Sequence, residues 1–339
     1  MEVHTNIPLK NYVTMRLGGN ARFMTDAHEV DELIDICKRA QAQSLPIHVL
    51  GGGSNTLVRD EGFDGVVVRN RILGFEILSD TDGRVEIKVG AGEEWDSFVK
   101  RTVDMQLSGV EALSSIPGTV GAAPVQNVGA YGQEVAETIT SLEALDLTDM
   151  TIQTLSSEEC GFSYRNSIFR STDQGRYIIT SVTFELSRIL PQPPFYKALQ
   201  DYFEKNAITL FTPQVLRDAV TAIRKDKLPD PKEHPNTGSF FKNAIIEDWL
   251  YTDLKAQYPD MPAYDMPDHM HKIPTGWLIE QTGYKGKVLH GIKVHDKNAL
   301  VLINESATSF ADLANTRDEI IGKVRDTFRI IIEQEPLEI

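Results

Sequence analysis

The sequence predicts an α+β protein built from more than one domain. A chain of 339 residues is long for a single hydrophobic core, and chains of this size usually divide into domains. β-like runs and amphipathic helical patterns follow one another along the chain, and glycine-rich turns come directly after two of the β-like runs. Hydrophobic residues make up 41% and charged residues 24%, as in an ordinary globular protein.

The first elements predict a β-α-β arrangement. Asp26 and Glu29 have the spacing of a helix capping box, and apolar residues recur at helical period over 30–40. IHVL at 47–50 predicts a buried strand that runs into three glycines. GVVVRN at 65–70 predicts the next strand.

The middle of the chain repeats this pattern and then becomes β-rich. EIKVGAG at 86–92 is again a strand that leads into glycine, and Trp95 begins an amphipathic helix that continues to Val103. TSLEALDLT and YIITSVTFELS, the latter at 177–187, predict two more strands. PQPP at 191–194 breaks both periodicities, so it is the best candidate for a linker.

Beyond this linker the sequence predicts two helices and a final strand. Apolar residues over 215–223 form one helical face, and those over 313–328 form a longer one. Ser309 with Asp312 predicts where the longer helix begins. RIIIEQE at 329–335 predicts a short strand after it.

Charge, cysteine content and hydropathy exclude several classes of protein. A formal net charge of −15 opposes binding to nucleic acid or to anionic lipid. Cys37 and Cys160 lie far apart with no CxxC, so they predict buried thiols rather than a disulfide or a metal site. No apolar run is long enough to span a bilayer, and MEVHTNIPLKN lacks the layout of a signal peptide. We therefore expect a cytoplasmic protein without a metal.

The stretch GGGSN at 51–55 is the first candidate for a ligand site. Successive glycines let backbone N–H groups turn toward a ligand, and such a nest suits a diphosphate. The phosphate motifs GxxxxGK[ST] and GxGxxG at a helix start are both absent from the chain. A tight turn between two strands is the alternative interpretation.

The stretch SIPGTVGAAPVQNVGAYGQEV at 115–135 is the second candidate. Its small residues let a large planar ligand lie against backbone, and amide side chains such as Gln126 and Asn127 can bind a heteroaromatic edge. A packed loop without a ligand is the alternative.

Several motifs in register then carry a resemblance to a known family. GGGSN is followed by IPGTVGAAPVQNVGAYG, FSYRNSIF, KLPDP with GSFFKN, GWLIEQTG and a final E-x-E, in this order. Together they resemble the UDP-N-acetylenolpyruvoylglucosamine reductase (MurB) family, from about Asn11 to Glu335. PPFYKAL at 193–199 is similar to the tyrosine-bearing loop of the longer (type I) variant.

The resemblance implies a fold and an activity. The fold would be a vanillyl-alcohol-oxidase-type FAD-binding region of two α+β subdomains, 1–75 and 76–192, followed by a C-terminal α+β substrate domain, 193–339. The activity would be NADPH-dependent reduction of UDP-N-acetylglucosamine enolpyruvate to UDP-N-acetylmuramate, for peptidoglycan synthesis, cell shape and cell division. Hydride would pass from reduced flavin N5 to C3 of the substrate.

The resemblance also implies which residues hold FAD. They come from the two glycine-rich stretches: Gly51, Gly52, Gly53, Ser54, Asn55, Pro117, Gly118, Gly121, Ala122, Gln126, Asn127 and Gly129. Many relatives of this fold tether the flavin through a histidine beside the glycines. Ser54 occupies that neighbourhood here, and His48 lies in the preceding strand, so we expect noncovalent FAD.

Three catalytic residues follow from the matching motifs. Arg165 matches the arginine that grips the substrate carboxylate and stabilises the enolate-like intermediate. Ser239 matches the proton donor to C2. Glu335 matches the carboxylate that works with the arginine, although spacing alone leaves Glu333 open. Pro336 departs from the family pattern and predicts that the final strand ends at Glu335.

Five residues match substrate contacts. They are Tyr164, Tyr196, Lys227, Asn243 and Gln281. Lys227 and Asn243 would contact the diphosphate of the substrate or of NADPH, while Tyr196 would close over it. Lys225 remains an alternative to Lys227. We expect a monomer without nucleic-acid or membrane partners.

Two other functions stay open on the sequence. One is a different FAD oxidoreductase of the same cofactor fold, such as a sugar or alcohol oxidase that uses oxygen. The other is a noncatalytic module that binds a nucleotide sugar. A protein that carries no flavin colour would favour the second of these.

Overall fold

The computed structural model describes residues 2–339. Within them the α-helices are α1 (Val30–Ala42), α2 (Trp95–Asp104), α3 (Lys197–Lys205), α4 (Pro213–Lys227), α5 (Asp248–Gln257), α6 (Thr275–Gln281) and α7 (Phe310–Phe328). The strands of the N-terminal half are β1 (Val3–Pro8), β2 (Asn20–Ala27), β3 (Ile47–Leu50), β4 (Thr56–Leu57), β5 (Phe63–Asn70), β6 (Phe75–Thr81), β7 (Arg84–Gly90), β8 (Gly129–Ala130), β9 (Gln133–Glu134), β10 (Ile139–Asp146), β11 (Thr151–Ser156) and β12 (Tyr177–Ser187). Those that follow are β13 (Asn236–Ser239), β14 (Ala244–Glu247), β15 (Tyr264–Met266), β16 (Met270–Ile273), β17 (Val288–Leu289), β18 (Ile292–Val294), β19 (Val301–Asn304) and β20 (Leu337–Glu338).

The chain forms two compact units. Unit 1 contains the residues up to Ile7 together with Ala21–Gly53 and Phe63–Asp226. Unit 2 contains Pro8–Asn20, Ser54–Gly62 and Lys227–Ile339. None of the helices described within 2–339 combines the length and the apolar character that a membrane span requires.

Unit 1 begins with a four-stranded sheet in the order β1-β2-β5-β3. Strands β2 and β3 both run parallel to β5, with α1 as the connection between them, so the predicted β-α-β opening is confirmed. The predicted capping box is wrong. Glu29 caps α1 without a side-chain hydrogen bond, and Asp26 in β2 instead forms an ion pair with Arg69 of β5.

A five-stranded antiparallel sheet follows, in the order β11-β10-β12-β7-β6. Helix α2 buries its apolar face here, with Trp95 and Phe98 packed against Phe184 of β12. The Trp95 indole N–H donates to the carbonyl of Leu113 at 2.9 Å, which satisfies its polar atom inside the core. The helix predicted from Trp95 and the strand predicted at 177–187 are both confirmed.

Helices α3 and α4 also belong to unit 1. Leu199 and Phe203 of α3 pack with Leu216 and Val220 of α4 against Ala112. The sequence places these helices in the C-terminal domain, because PQPP is its best candidate for a linker. The last segment of unit 1 ends at Asp226. The division into three domains remains a prediction.

Unit 2 carries two further antiparallel sheets, in the orders β13-β19-β18-β17 and β14-β16-β15. Helix α7 supplies Ile320, Val324 and Phe328 to the core of this unit. Its predicted start is confirmed, because Ser309 accepts from the N–H of Asp312 while the Asp312 carboxylate accepts from the N–H of Ser309.

The strand predicted at 329–335 is wrong. Ile330 and Ile332 are buried and Ile331 is 69% exposed, so the alternation is strand-like. This run lies outside any sheet of the described residues apart from an isolated bridge between Gln334 and Phe241. Pro336 does not end the pairing either, because β20 follows it and runs parallel to β4.

Candidate functional site

The two glycine-rich stretches meet inside unit 1. A Cβ atom added to Gly52 would lie 2.8 Å from the Cα atom of Gly118, and one added to Gly51 would lie 2.8 Å from the Thr119 hydroxyl oxygen. A side chain at 52 would collide with backbone, so that position requires glycine, whereas at 51 the Thr119 side chain would have to shift. Gly52, Pro117 and Ala122 are exposed at this contact. The result is a surface of bare backbone, as a large flat ligand with a diphosphate requires.

The second glycine-rich bend, at 117–122, is anchored by main-chain hydrogen bonds to the turn that precedes α2. The backbone N–H of Trp95 donates to the carbonyl of Gly118 at 3.1 Å, and the backbone N–H of Val120 donates to the carbonyl of Glu93 at 2.9 Å. A Cβ on Gly121 would lie 2.5 Å from the Cβ of Ala91. Gly121 is therefore needed for packing, whatever its part in ligand binding.

Asn127 holds the end of this stretch together. It is 1% exposed with a left-handed backbone (φ 47°). Its amide donates to the Glu134 carboxylate at 2.8 Å and to the Ser163 carbonyl at 3.2 Å, and its side-chain oxygen accepts from the Ala136 N–H. The side chain is thus engaged by the loop itself. Gln126 accepts a hydrogen bond from Arg170.

Arg165 lies against the hairpin formed by β8 and β9. It sits in a tight turn closed by a bridge between Ser163 and Asn166, with φ at 53°. Its guanidinium donates to the carbonyl of Gly129 and lies 5.3 Å from the ring centre of Tyr164. A Cβ on Gly129 would approach the Arg165 Nη1 atom to 2.7 Å. Bare backbone at 129 is what admits the guanidinium.

Tyr196 lies beside the turn at 131–132. Its ring packs edge-on against Tyr131 with the centroids 6.0 Å apart, and the Tyr196 side chain is 45% exposed. Burial raises the pKa of Tyr131, although the nearby charge of Arg224 opposes this. The predicted mobile-loop tyrosine therefore stands at the surface of unit 1.

Sequence analysis missed a group of charged residues at the entry of the second bend. Asp96 of α2 pairs with Arg217 of α4 through two contacts of 2.7 and 2.8 Å and accepts from the Ser115 N–H. Arg224 donates to the Ser115 carbonyl at 3.2 Å. The signal was available in the sequence, since Arg224 directly follows the apolar face of α4, next to Ile223.

The segments that carry Ser239 and Glu335 pair through their backbones in unit 2. Ser239 ends β13 after Gly238, which has φ at 70°, and is half-buried beside fully buried Phe240. The Glu335 N–H donates to the Phe240 carbonyl at 2.8 Å. Glu333 differs from Glu335, because its side chain is 73% exposed and lies 3.5 Å from the Lys242 ammonium.

The predicted substrate contacts of unit 2 are more scattered. Asn243 accepts from the Thr275 N–H at the start of α6, which leaves its amide donors for a ligand, since no acceptor for them is found within residues 2–339. Gln281 is exposed at the opposite end of α6. Lys225 and Lys227 are both exposed at the end of α4.

Comparisons with known proteins add the family. Residues 22–156 match a model described as FAD binding domain, and residues 230–339 match one described as UDP-N-acetylenolpyruvoylglucosamine reductase, C-terminal domain. A curated UDP-N-acetylenolpyruvoylglucosamine reductase from Neisseria gonorrhoeae is 41% identical over 97% of this chain and 95% of its own length. The chain belongs to this reductase family.

Further members of the UDP-N-acetylenolpyruvoylglucosamine reductase family agree. The one from Flavobacterium johnsoniae is 38% identical, with 99% of both chains covered. The crystal structure of the Thermus caldophilus reductase (MurB) matches with a TM-score of 0.68 and 24% identity, covering 100% of this chain and 99% of that one. The predicted fold class and family are confirmed. The roles of individual residues remain predictions.

Proposed function

We propose that the protein reduces UDP-N-acetylglucosamine enolpyruvate to UDP-N-acetylmuramate, with NADPH as the electron donor and noncovalent FAD as the carrier. Membership of the reductase family supports the reaction. The single structural observation that supports it most is the close approach of Gly51 and Gly52 to Gly118 and Thr119, which leaves an exposed cradle of bare backbone.

FAD fits this cradle. Backbone N–H groups at 51–53 and the side chains of Ser54 and Asn55 are neutral donors, so they bind a diphosphate in a chain of net charge −15 without an added cation. When bound by the backbone at 51–53 and by Ser54 and Asn55, FAD would supply the hydride chemistry that links NADPH to C3 of the enolpyruvyl group. Ser54 and Asn55 offer no nucleophile of the histidine type for a covalent tether.

Arg165 is proposed to bind the substrate carboxylate. A guanidinium is permanently charged and forms two parallel hydrogen bonds with a carboxylate. The Arg165 guanidinium donates to the carbonyls of Asn127 and Gly129. A carboxylate that gains negative character during the reaction is a stronger acceptor than a carbonyl, so the arginine would stabilise the intermediate more than the ground state.

Ser239 is proposed to give the proton to C2, and Glu335 to assist. Serine is a weak acid, so it needs a strongly basic acceptor and a fixed orientation. β13 and the buried phenylalanines that follow it hold the serine in place. The hydrogen bond from the Glu335 backbone N–H to the Phe240 carbonyl holds the segment of Glu335 beside the segment of Ser239.

Lys227 and Asn243 are proposed to contact the diphosphate, and Tyr196 to close over it as in the longer (type I) variant. Tyr164 would support Arg165, and Gln281 would have to act at the far end of α6. Lys225 remains the alternative to Lys227. We further propose a cytoplasmic monomer, and three domains at 1–75, 76–192 and 193–339.

Anaerobic half-reactions test the function. The purified protein should be yellow, NADPH should bleach it, and the UDP-sugar enol ether should restore the colour. Reoxidation by oxygen alone, with no response to the enol ether, would favour a sugar or alcohol oxidase. Colourless protein would favour a nucleotide-sugar-binding module. Denaturation followed by size exclusion should separate flavin from polypeptide, and colour that stays with the chain would contradict noncovalent binding.

A further inference from the structure

The C-terminal segment 333–339, here named the strap, joins two parts of unit 2 by backbone hydrogen bonds. Its first half pairs with the residues that follow Ser239. The Lys242 N–H donates to the Glu333 carbonyl at 2.9 Å, and the Glu335 N–H donates to the Phe240 carbonyl at 2.8 Å. This half carries the predicted acid.

The second half of the strap pairs with the residues that follow the glycine bend. The Leu337 N–H donates to the Asn55 carbonyl and the Ile339 N–H donates to the Leu57 carbonyl, each at 2.9 Å. The Arg59 N–H returns a bond of 2.9 Å to the Ile339 carbonyl. The strap thus reaches Asn55, a predicted FAD contact, directly through its backbone.

Pro336 stands where the strap changes partner. A proline has no N–H, and none is needed at residue 336, because the N–H groups that the strap donates belong to Glu335, Leu337 and Ile339. Its ring is buried. Arg317 of α7 binds residues on either side of the proline in the chain. Its Nη1 atom donates to the Gln334 side chain at 2.9 Å and to the Glu338 carboxylate at 3.1 Å.

The neighbouring segment is fixed as well. The Asp60 carboxylate accepts from the N–H groups of Phe310 and Ala311 at the start of α7, at 2.7 and 3.0 Å. Arg59 forms an ion pair of 2.6 Å with Glu338. Residues 55–60 therefore have the strap on one side and α7 on the other.

We propose that the strap is a positioning element that holds Glu335 beside Ser239 and the Asn55 end of the glycine bend in one frame. This inference rests on the proposed function, since it takes Asn55 to contact FAD and Glu335 to act on the substrate. It goes beyond that function by coupling the two. If FAD binding at Asn55 stabilises the position of the strap, it also stabilises the position of Glu335. Substrate binding at Glu335 must then favour FAD binding to the same extent, because such coupling is reciprocal.

Leu337→Pro tests the coupling by removing one N–H donor. The loss of one backbone hydrogen bond corresponds to about a five-fold change in binding, so FAD should dissociate from the holoenzyme about five times faster. Reoxidation of the reduced enzyme by the enol ether should slow as well, while reduction by NADPH in the flavin that remains bound is unchanged. Flavin fluorescence after dilution measures FAD release. Anaerobic stopped-flow absorbance measures reoxidation by the enol ether and reduction by NADPH.

Two variants control for this substitution. Leu337→Val keeps the N–H, so FAD release and reoxidation by the enol ether should both proceed at the rates of the unaltered enzyme. Ile331→Pro places a proline in the same terminal segment, at an exposed residue whose N–H has no acceptor within residues 2–339, and should release FAD as the unaltered enzyme does. Equal FAD release in Leu337→Pro and the unaltered enzyme, or equal loss in Ile331→Pro, would overturn the inference.

Hydrogen exchange gives a second readout that does not depend on a variant that folds. FAD binding should slow exchange of the Leu337 and Ile339 amides relative to those at 329–332. Exchange that is indifferent to FAD would contradict the coupling. An unaltered enzyme that fails to bleach with NADPH would refute the proposed function instead, so the two failures are distinct.

Discussion

Glu335 and Phe240 are joined by a backbone hydrogen bond of 2.8 Å, which brings the predicted acid to the residue next to Ser239. The role of Glu335 stays a prediction, and Glu333, which spacing alone leaves open, is its alternative. Glu333 points its carboxylate to solvent beside Lys242.

Glu335→Gln should slow reoxidation by the enol ether, because the amide keeps the shape of the side chain and its main-chain bond but loses the acid. We expect a decrease of about 10²-fold or more, the usual size of an acid–base contribution. Glu333→Gln is the matched control and should stay near the unaltered rate. The reverse order of the two variants would transfer the role to Glu333.

Ser239→Ala should abolish proton delivery to C2 and leave reduction by NADPH intact. The expected loss in the reoxidation step is about 10²- to 10⁴-fold. Anaerobic stopped-flow absorbance separates the two half-reactions. If reoxidation stayed at the unaltered rate, the serine could not be the donor.

Gly52→Ala should lose FAD, because its Cβ would lie 2.8 Å from the Cα of Gly118. Overpacking of this kind costs about 1–3 kcal/mol in the free energy of unfolding. Gly322→Ala is the control: a Cβ there meets nothing within 4 Å, and in α7 it should stabilise by up to about 1 kcal/mol. Flavin content and urea denaturation measure both. A yellow Gly52→Ala protein of unaltered stability would contradict the close approach.

Asp96→Asn should destabilise unit 1 in a pH-dependent way. Burial alone would raise the pKa of Asp96, but the hydrogen bonds from Arg217 and the Ser115 N–H outweigh it and lower that pKa. A carboxyl with a lowered folded-state pKa stabilises above its unfolded pKa of about 4 and loses this contribution as pH falls further. The two proteins should differ by about 1–2 kcal/mol at pH 7, since the pair is partly exposed.

The difference between Asp96→Asn and the unaltered protein should narrow below about pH 4. Asp104→Asn, in the same helix, removes only an exposed pair with Lys100 and should change the free energy of unfolding by less than about 0.5 kcal/mol. Urea titrations from pH 3 to pH 8 measure both. A constant difference over this range would show that Asp96 acts by packing and not by charge.

Cys37 and Cys160 should resist alkylation in the folded protein. Both are free and buried, and burial raises the pKa of each thiol to about 12. At pH 8 almost no thiolate is present, and the reagent needs the thiolate. Mass spectrometry after iodoacetamide should find no adduct until urea unfolds the chain. Rapid modification of either thiol in the folded state would contradict its burial.

Local signals predicted most of the fold. The start of α7 is set by Ser309 and Asp312, three residues apart, so a short window of sequence contains all the information. The strand at 177–187 is confirmed with the bounds that its β-branched run predicted. Asp26 shows the limit of such signals, because its partner Arg69 lies in another strand and overrides the capping pattern.

Contacts distant in sequence account for the remainder. The pairing of Leu337 with Thr56 depends on the tertiary fold, so no window around Pro336 could reveal it. The candidate site shows the same difference between local signals and contacts distant in sequence. The glycine stretches were readable as bare backbone, whereas the link from Asp96 through Arg217 to Ser115 required α2 and α4 to be packed first.

The segments of the two units alternate along the chain, which limits how the units can be expressed separately. A fragment that starts at Lys227 would leave behind Met15, Leu17 and Leu57, which are all buried in the core of unit 2. No single break yields two halves that each keep their whole interior. Separate expression of unit 2 would therefore need the segments 8–20 and 54–62 to be grafted onto 227–339.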